Sequence, residues 1–164
     1  MNLEQARQKV LTAPYLNLPQ QAKYLSKHLE SPSDIRCLNT NAVISTFCTV
    51  KKPLFVFKKL GDGVIANLEI SLGAKVHANY FIRDGKLHPV TWGKWKLRAS
   101  AAIVHSLCTQ AGKPVKKGFS KYDPEFIYVA HPTKTLEPNA FSMNPDECEA
   151  GIHFFLNLKD AWFY

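Results

Sequence analysis

Apolar and polar positions follow two different periods along the chain, and the change near residue 43 divides it. Before that point, Leu3, Ala6, Val10 and Leu11 recur at helical spacing, with Asn2 at an N-cap position and Gln5 at the capping-box position. Pro14 ends this first predicted helix. A second opens with Pro19 at its first helical position and carries Ala22, Leu25 and Leu29 on one face. Ser31-Pro32-Ser33 stops it, and Ser33 is placed to cap a short third helix containing Ile35 and Leu38.

From Val43 the pattern becomes that of strands. Residues 43–50 and 54–60 are rich in β-branched and aromatic side chains, and Gly61-Asp62-Gly63 predicts a tight turn into a strand over 64–70. Phe55 and Phe57 alternate with Val56 and Lys58, as in a hairpin with one face wetter than the other. Residues 76–83, the Asp84-Gly85 turn and residues 87–92 predict a second hairpin. Residues 96–107 fit either strand or buried helix; strand after Arg98 is preferred because small and polar residues flank Ile103-Val104. A basic loop spans Gly112 to Gly118. Short strands are predicted over 126–129 and 151–156, with Asn157 capping a terminal helical turn. The expected fold class is α+β. A short N-terminal helical segment (1–42) packs on a mixed, mostly antiparallel β-sheet region (43–164), all within one domain.

Composition narrows this picture. With 164 residues, 46% of them hydrophobic and 12% aromatic, the chain can build one real core but not two comfortable ones. Cys37, Cys48, Cys108 and Cys148 are scattered and sparse, which fits a reducing cytosol better than a disulfide scaffold. The polar start, Met1-Asn-Leu-Glu, does not read as a secretory leader, and no apolar run is long enough for a membrane span. The expected location is therefore cytoplasmic, with no membrane partner. The net charge of +8 is unevenly spread: residues 51–121 carry fourteen Lys/Arg against three Asp/Glu, whereas residues 122–164 carry two against seven. The middle of the chain should attract polyanions.

Several clusters are candidates for chemistry. Trp92-Gly-Lys94-Trp95-Lys96-Leu-Arg98 interleaves aromatic and basic residues, as a stacking and electrostatic platform for single strands or an acidic protein surface would. Lys116 and Lys117 add to the same field. Arg98 and Ser100 suit an anion, since arginine forks oxygen pairs; the structural alternative is an arginine reaching over the sheet edge to Asp123 or Glu125. His153 lies in an apolar run, opposite Ile152 and Phe154, where a hydrogen-bonded structural histidine is the default and a catalytic base the alternative. Cys148 and His153, with His105-x-x-Cys108, offer four zinc-type ligands, but neither pair has the close cysteine spacing of such sites, so no metal is expected. Glu147 and Glu149 flank Cys148 and would raise its pKa, which argues against a nucleophile there. No phosphate-binding P-loop, dinucleotide fingerprint, nucleophile elbow or His-Glu-x-x-His is present.

From Lys58 to the end, the sequence resembles a family of uncharacterised viral domains found in phages and giant viruses, often at the end of pentapeptide-repeat proteins. The segments that carry the resemblance are Lys58-Lys59, Gly63-Val64-Ile65, Ile70 through Gly73-Ala74-Lys75, and Arg98-Ala99-Ser100. Ser120, Asp123-Pro124, Phe126-Ile127-Tyr128 and Glu147-Cys148-x-x-Gly151-Ile152-His153-Phe154-Phe155 with Ala161 complete it. Leu97 stands where the family often has cysteine, and the insert over 86–96 is longer than usual. The resemblance implies a viral or mobile-element origin and no particular reaction. Residues 1–50 fall outside it. A weaker likeness joins Gly151-Ile152-His153-Phe154 and Tyr164 to the Gly-Ile-Tyr-Phe segment of ADP-ribosyltransferases, where two tyrosines sandwich a nicotinamide ring. It implies that His153 and Tyr164 would stack, but the glutamate those enzymes supply from a later strand has no counterpart before the sequence stops at Tyr164.

Three function classes follow, and binding is favoured over catalysis. The first is a small phage or viral accessory protein in the host cytoplasm, acting on nucleic acid or on a host protein or nucleoprotein complex, as anti-CRISPR proteins do. Its binding residues would be Trp92, Lys94, Trp95, Lys96, Arg98, Lys116 and Lys117. The second is a transferase-like or nucleotide-binding pocket built on Arg98, Ser100, Tyr128, His153 and Tyr164, of which Arg98, His153 and Tyr164 are the catalytic candidates. A purely structural, self-associating module is a third. No cofactor is expected.

Overall fold

The structure, a computed structural model, describes residues 1–30, 43–83, 86–89, 96–142 and 150–164; for 43–46, 78–83 and 86–89 the description is of the backbone. The expected third helix and the Asp84-Gly85 turn lie outside the described residues, as do Cys37 and Cys148.

Both N-terminal helices are set by capping boxes. In α1 (Leu3–Thr12) the Asn2 side chain accepts from the Gln5 N–H at 2.8 Å, while the Gln5 side chain accepts from the Asn2 N–H at 3.0 Å. In α2 (Leu18–His28) Asn17 and Gln20 do the same, and Pro19 follows one residue into the helix. The buried stripe is narrower than the sequence suggested. Ala6 and Val10 are buried in α1, but Leu3 and Leu11 are exposed. In α2 the inward positions are Gln21 and Leu25, and Gln21 is tolerated inside because its amide donates to the Leu16 carbonyl at 2.9 Å.

Every described strand pairing is antiparallel. One sheet runs in the order β1 (Leu29–Glu30), β2 (Val43–Val50), β5 (Lys75–Arg83), β7 (Leu97–Ala99) and β12 (Ile152–Phe154), with β6 (Lys86–Pro89) also paired to β5. A second runs β11 (Thr135–Leu136), β8 (Ala102–Cys108), β4 (Ile65–Ile70) and β3 (Leu54–Lys59). The two are stitched where β12 runs out into Phe155: Phe57 and Phe155 exchange backbone hydrogen bonds of 2.9 and 2.7 Å. A short hairpin of β9 (Lys117–Phe119) and β10 (Ile127–Val129) stands beside them, so the basic loop at 112–118 ends in a strand.

Local sequence explains the corners. The β3–β4 turn puts both Asp62 (φ 55°) and Gly63 (φ 70°) at positive φ, the geometry whose twist matches a hairpin. Residues 96–107 form two strands rather than one because the Ser100 hydroxyl accepts from Lys75 N at 2.9 Å and Ser100 N donates to the Lys75 carbonyl at 3.0 Å, breaking the run. Leu54, Val56, Leu68, Ile70, Val76, Leu97, Val104, Ile152 and Phe154 join Leu25 of α2 in one core, so the helical lead-in packs on the sheet region. A smaller cluster of Ala6, Val10, Ile65 and Trp162 docks α1 against α3 (Leu158–Trp162).

Asn157 precedes α3 as expected, but its side chain makes no cap bond. It is buried, and it clamps the N-terminal segment instead, accepting from Leu16 N at 2.8 Å and donating to the Leu16 carbonyl at 3.0 Å. This joins the two ends of the sequence around the core.

Candidate functional site

Strand alternation delivers an unusual residue to the interior. Leu54 and Val56 point inward from β3, and two residues further on the same face carries Lys58. Lys58 retains some surface exposure as a residue, but its ammonium is densely surrounded by protein and donates to the His153 carbonyl at 2.9 Å. Burial, and then the neighbouring charge of Lys96, push its pKa down to about 8.

Beside Lys58 opens a cavity of about 590 Å³, a volume typical of small-ligand sites. It lies between the end of β3, the start of β12, the segment after β9 and the C-terminal Tyr164. Four lysines, Lys58, Lys59, Lys96 and Lys121, stand in its wall against one carboxylate, Asp123, among the described residues. Tyr122, Phe126, Tyr128, Phe155 and Tyr164 give it an aromatic lining.

Tyr164 is the hub of this cluster. Its ring packs on Phe155 with centroids 5.2 Å apart, and the ammonium groups of Lys96 and Lys121 lie 5.2 and 5.0 Å from its centroid. Lys96 also donates to its hydroxyl at 3.1 Å. Hydrogen bonds from Tyr122 and Lys96, helped by the charges of Lys96 and Lys121, hold this hydroxyl below the usual tyrosine range. Tyr128, buried in the wall, is pushed upward by desolvation. Lys59 donates to the Trp162 carbonyl at 3.0 Å and is lowered by burial and by Lys121. Among the described residues, like charges thus crowd together with one carboxylate beside them, which suits an anion.

Gly151 admits β12 to this wall. Its φ is 152°, and a Cβ there would meet the Phe141 ring at 3.0 Å. Phe141 belongs to a second arrangement. Arg98, 1% exposed, lies with its guanidinium 5.4 Å from the ring centroids of both Phe47 and Phe141, and donates to the carbonyls of Ser142 at 2.6 Å and Ala150 at 3.2 Å.

The residues expected from sequence therefore separate. Lys96, Tyr128, His153 and Tyr164 meet in the cavity wall. Arg98 and Ser100 are not among the wall residues; the first is occupied with backbone carbonyls, the second with Lys75. Asp123, the alternative partner considered for Arg98, accepts from Glu125 N at 3.2 Å. Lys116 and Lys117 are exposed at the start of β9, outside the wall. Trp92, Lys94 and Trp95 lie outside the described residues.

Lys58, Lys59, Lys121 and Tyr122 were missed as site residues. The signal for Lys58 was present in the Leu54, Val56, Lys58 spacing, where a lysine falls on the apolar face of a strand. Among the described residues no three His, Cys, Asp or Glu side chains gather as metal ligands; His105 pairs with Glu69 at 3.3 Å, and burial raises the Cys108 thiol. No described helix is long and apolar enough to cross a membrane.

Residues 44–161 match the model of a family of unknown function, DUF5758. The chain belongs to that family. No curated protein and no solved structure matches it. The matched span contains the whole cavity wall except Tyr164, so the site is built almost entirely from the family domain.

Proposed function

We propose that this member of DUF5758 acts by binding, and that the lysine-rich cavity takes a phosphate-bearing, ring-containing unit of a nucleic-acid strand. The observation that carries the reading is that, among the described residues, four lysines face one carboxylate around a cavity of about 590 Å³ lined by tyrosine and phenylalanine. Ammonium groups neutralise phosphates, and aromatic faces stack bases with little regard to sequence, the combination used for single strands. The basic excess over residues 51–121 would extend this attraction beyond the cavity.

Within this reading the chain is a small accessory protein of a phage or virus, working in the host cytoplasm on nucleic acid or on a host complex that handles it, such as a defence complex. The sequence resemblance and the charge distribution support that role. Equilibrium binding of short single- and double-stranded DNA and RNA at two salt concentrations tests it. Affinity for single strands that falls steeply with salt is expected; no binding, or binding indifferent to salt, removes the reading.

A second reading has one observation in its favour: His153 and Tyr164, the residues similar in placement to the stacking pair of ADP-ribosyltransferases, share this cavity wall. It makes the chain a nucleotide-binding or ADP-ribosyltransferase-like enzyme. Thermal shifts with NAD and ADP-ribose, lost in His153→Ala, would favour it over strand binding.

A further inference from the structure

The four lysines of the wall are not equivalent. Lys96 and Lys121 range around the Tyr164 ring, and Lys59 is tied to the Trp162 carbonyl. Lys58 alone comes from the inward face of a strand, between the apolar Val56 and the backbone of β12, and opens into the cavity from inside. An ammonium placed there is disfavoured by its surroundings, and Lys96 adds like-charge repulsion. At neutral pH roughly a tenth of such a group is the free amine, against about one in three thousand for an ordinary lysine. Lys59, Lys96 and Lys121 stand around the same cavity, so an anionic ligand would be drawn in beside that amine.

We propose that Lys58 is a nucleophilic amine serving this cavity, and that it takes up a phosphate-bearing aldehyde or ketone as a covalent imine. This rests on reading the cavity as an anion site and goes beyond it by naming the reactive atom and the electrophile. Lys58 first loses a proton to solvent. The Nζ lone pair attacks the carbonyl carbon, forming the C–N bond, while the carbonyl oxygen takes a proton. Loss of that oxygen as water leaves the imine, so one amine and one carbonyl give one imine and one water, with no change of oxidation state. Lys59, Lys96 and Lys121 would hold the phosphate, and the Tyr164 face would receive a ring.

Pyridoxal 5′-phosphate, an aromatic aldehyde bearing phosphate, is a suitable probe. The folded protein is exposed to a limiting amount at neutral pH, reduced with borohydride, and digested for mass mapping of all lysines. Lys58 is expected to be labelled on the order of tenfold faster than exposed lysines such as Lys117, and excess inorganic phosphate should slow its labelling. Labelling at Lys59, Lys96 or Lys121 with Lys58 spared overturns the inference but leaves the anion reading standing. Labelling spread over lysines outside the wall, or no labelling, overturns the inference, and the spread pattern counts against the anion reading too. A Lys58→Arg variant that keeps the wild-type melting temperature should lose the fast label. Because the mapping is read on the wild-type chain, the test stands whether or not that variant folds.

Discussion

Arg98 and Lys58 are both cations carried inside by strand alternation, and both lean on β12, yet the protein treats them differently. Arg98 is enclosed: two aromatic faces and two backbone carbonyls lie against its guanidinium, and it is not in the wall of the Lys58 cavity. Lys58 has one backbone carbonyl and an open space before it. A planar, permanently charged fork suits the first role, whereas a compact ammonium that sheds its proton under burial suits the second. A buried charge by itself thus does not mark a site; on the proposed reading, one left facing a cavity among other like charges does.

The sharpest way to break the comparison is to remove Arg98. Arg98→Ala should cost about 3 kcal/mol of stability, through a cavity between Phe47 and Phe141 and carbonyls left without a donor. Arg98→Lys should recover little, since lysine lacks the flat guanidinium that lies against both rings. Denaturant unfolding measures both, and a loss under about 0.5 kcal/mol would make the two cations alike after all.

Next comes the wall itself. A combined Lys59→Ala, Lys96→Ala, Lys121→Ala variant should bind short single strands at least tenfold more weakly, with a salt dependence shallower by about two to three phosphate contacts. Its stability should stay near wild type, because like charges are relieved. Tyr164→Ala should weaken binding by roughly tenfold through lost stacking. Unchanged affinity in either variant places the ligand elsewhere.

The pH behaviour of Lys58 is a smaller effect. Its folded pKa, about 8, lies below the ordinary lysine value, so between the two the unfolded chain binds the extra proton and stability rises with pH. Relative to Lys58→Met, the wild type should therefore gain stability as pH climbs from about 8 to about 10; a flat difference in melting temperature across that window would mean the ammonium is well solvated. Smallest of all, Lys116→Ala with Lys117→Ala should change strand affinity by less than about threefold, since both lie outside the wall.

Much of the fold is legible in the sequence because it is local. The Asn2 capping box, the β3–β4 hairpin around Asp62-Gly63 and the limits of β2 follow from neighbouring residues. Asn157 does stand at a helix start, but its side chain serves Leu16, which lies 141 positions away. The site is harder to read for the same reason. Lys58 and His153 meet only after β12 has paired with β7 and reached β3, and Lys58-Lys59 looks in one dimension like an exposed basic pair. Its nearby basic, aromatic and serine residues single out Arg98 in the sequence, but it is the distant aromatic partners, Phe47 and Phe141, that decide its role.

The most direct test of the cavity as the binding site is photocrosslinking of a short single strand carrying 5-iodouracil, followed by peptide mapping. Crosslinks concentrated on Tyr122, Phe126 or Tyr164 are the expected result. Crosslinks confined to residues outside the cavity wall, with these three aromatic residues untouched, would contradict it.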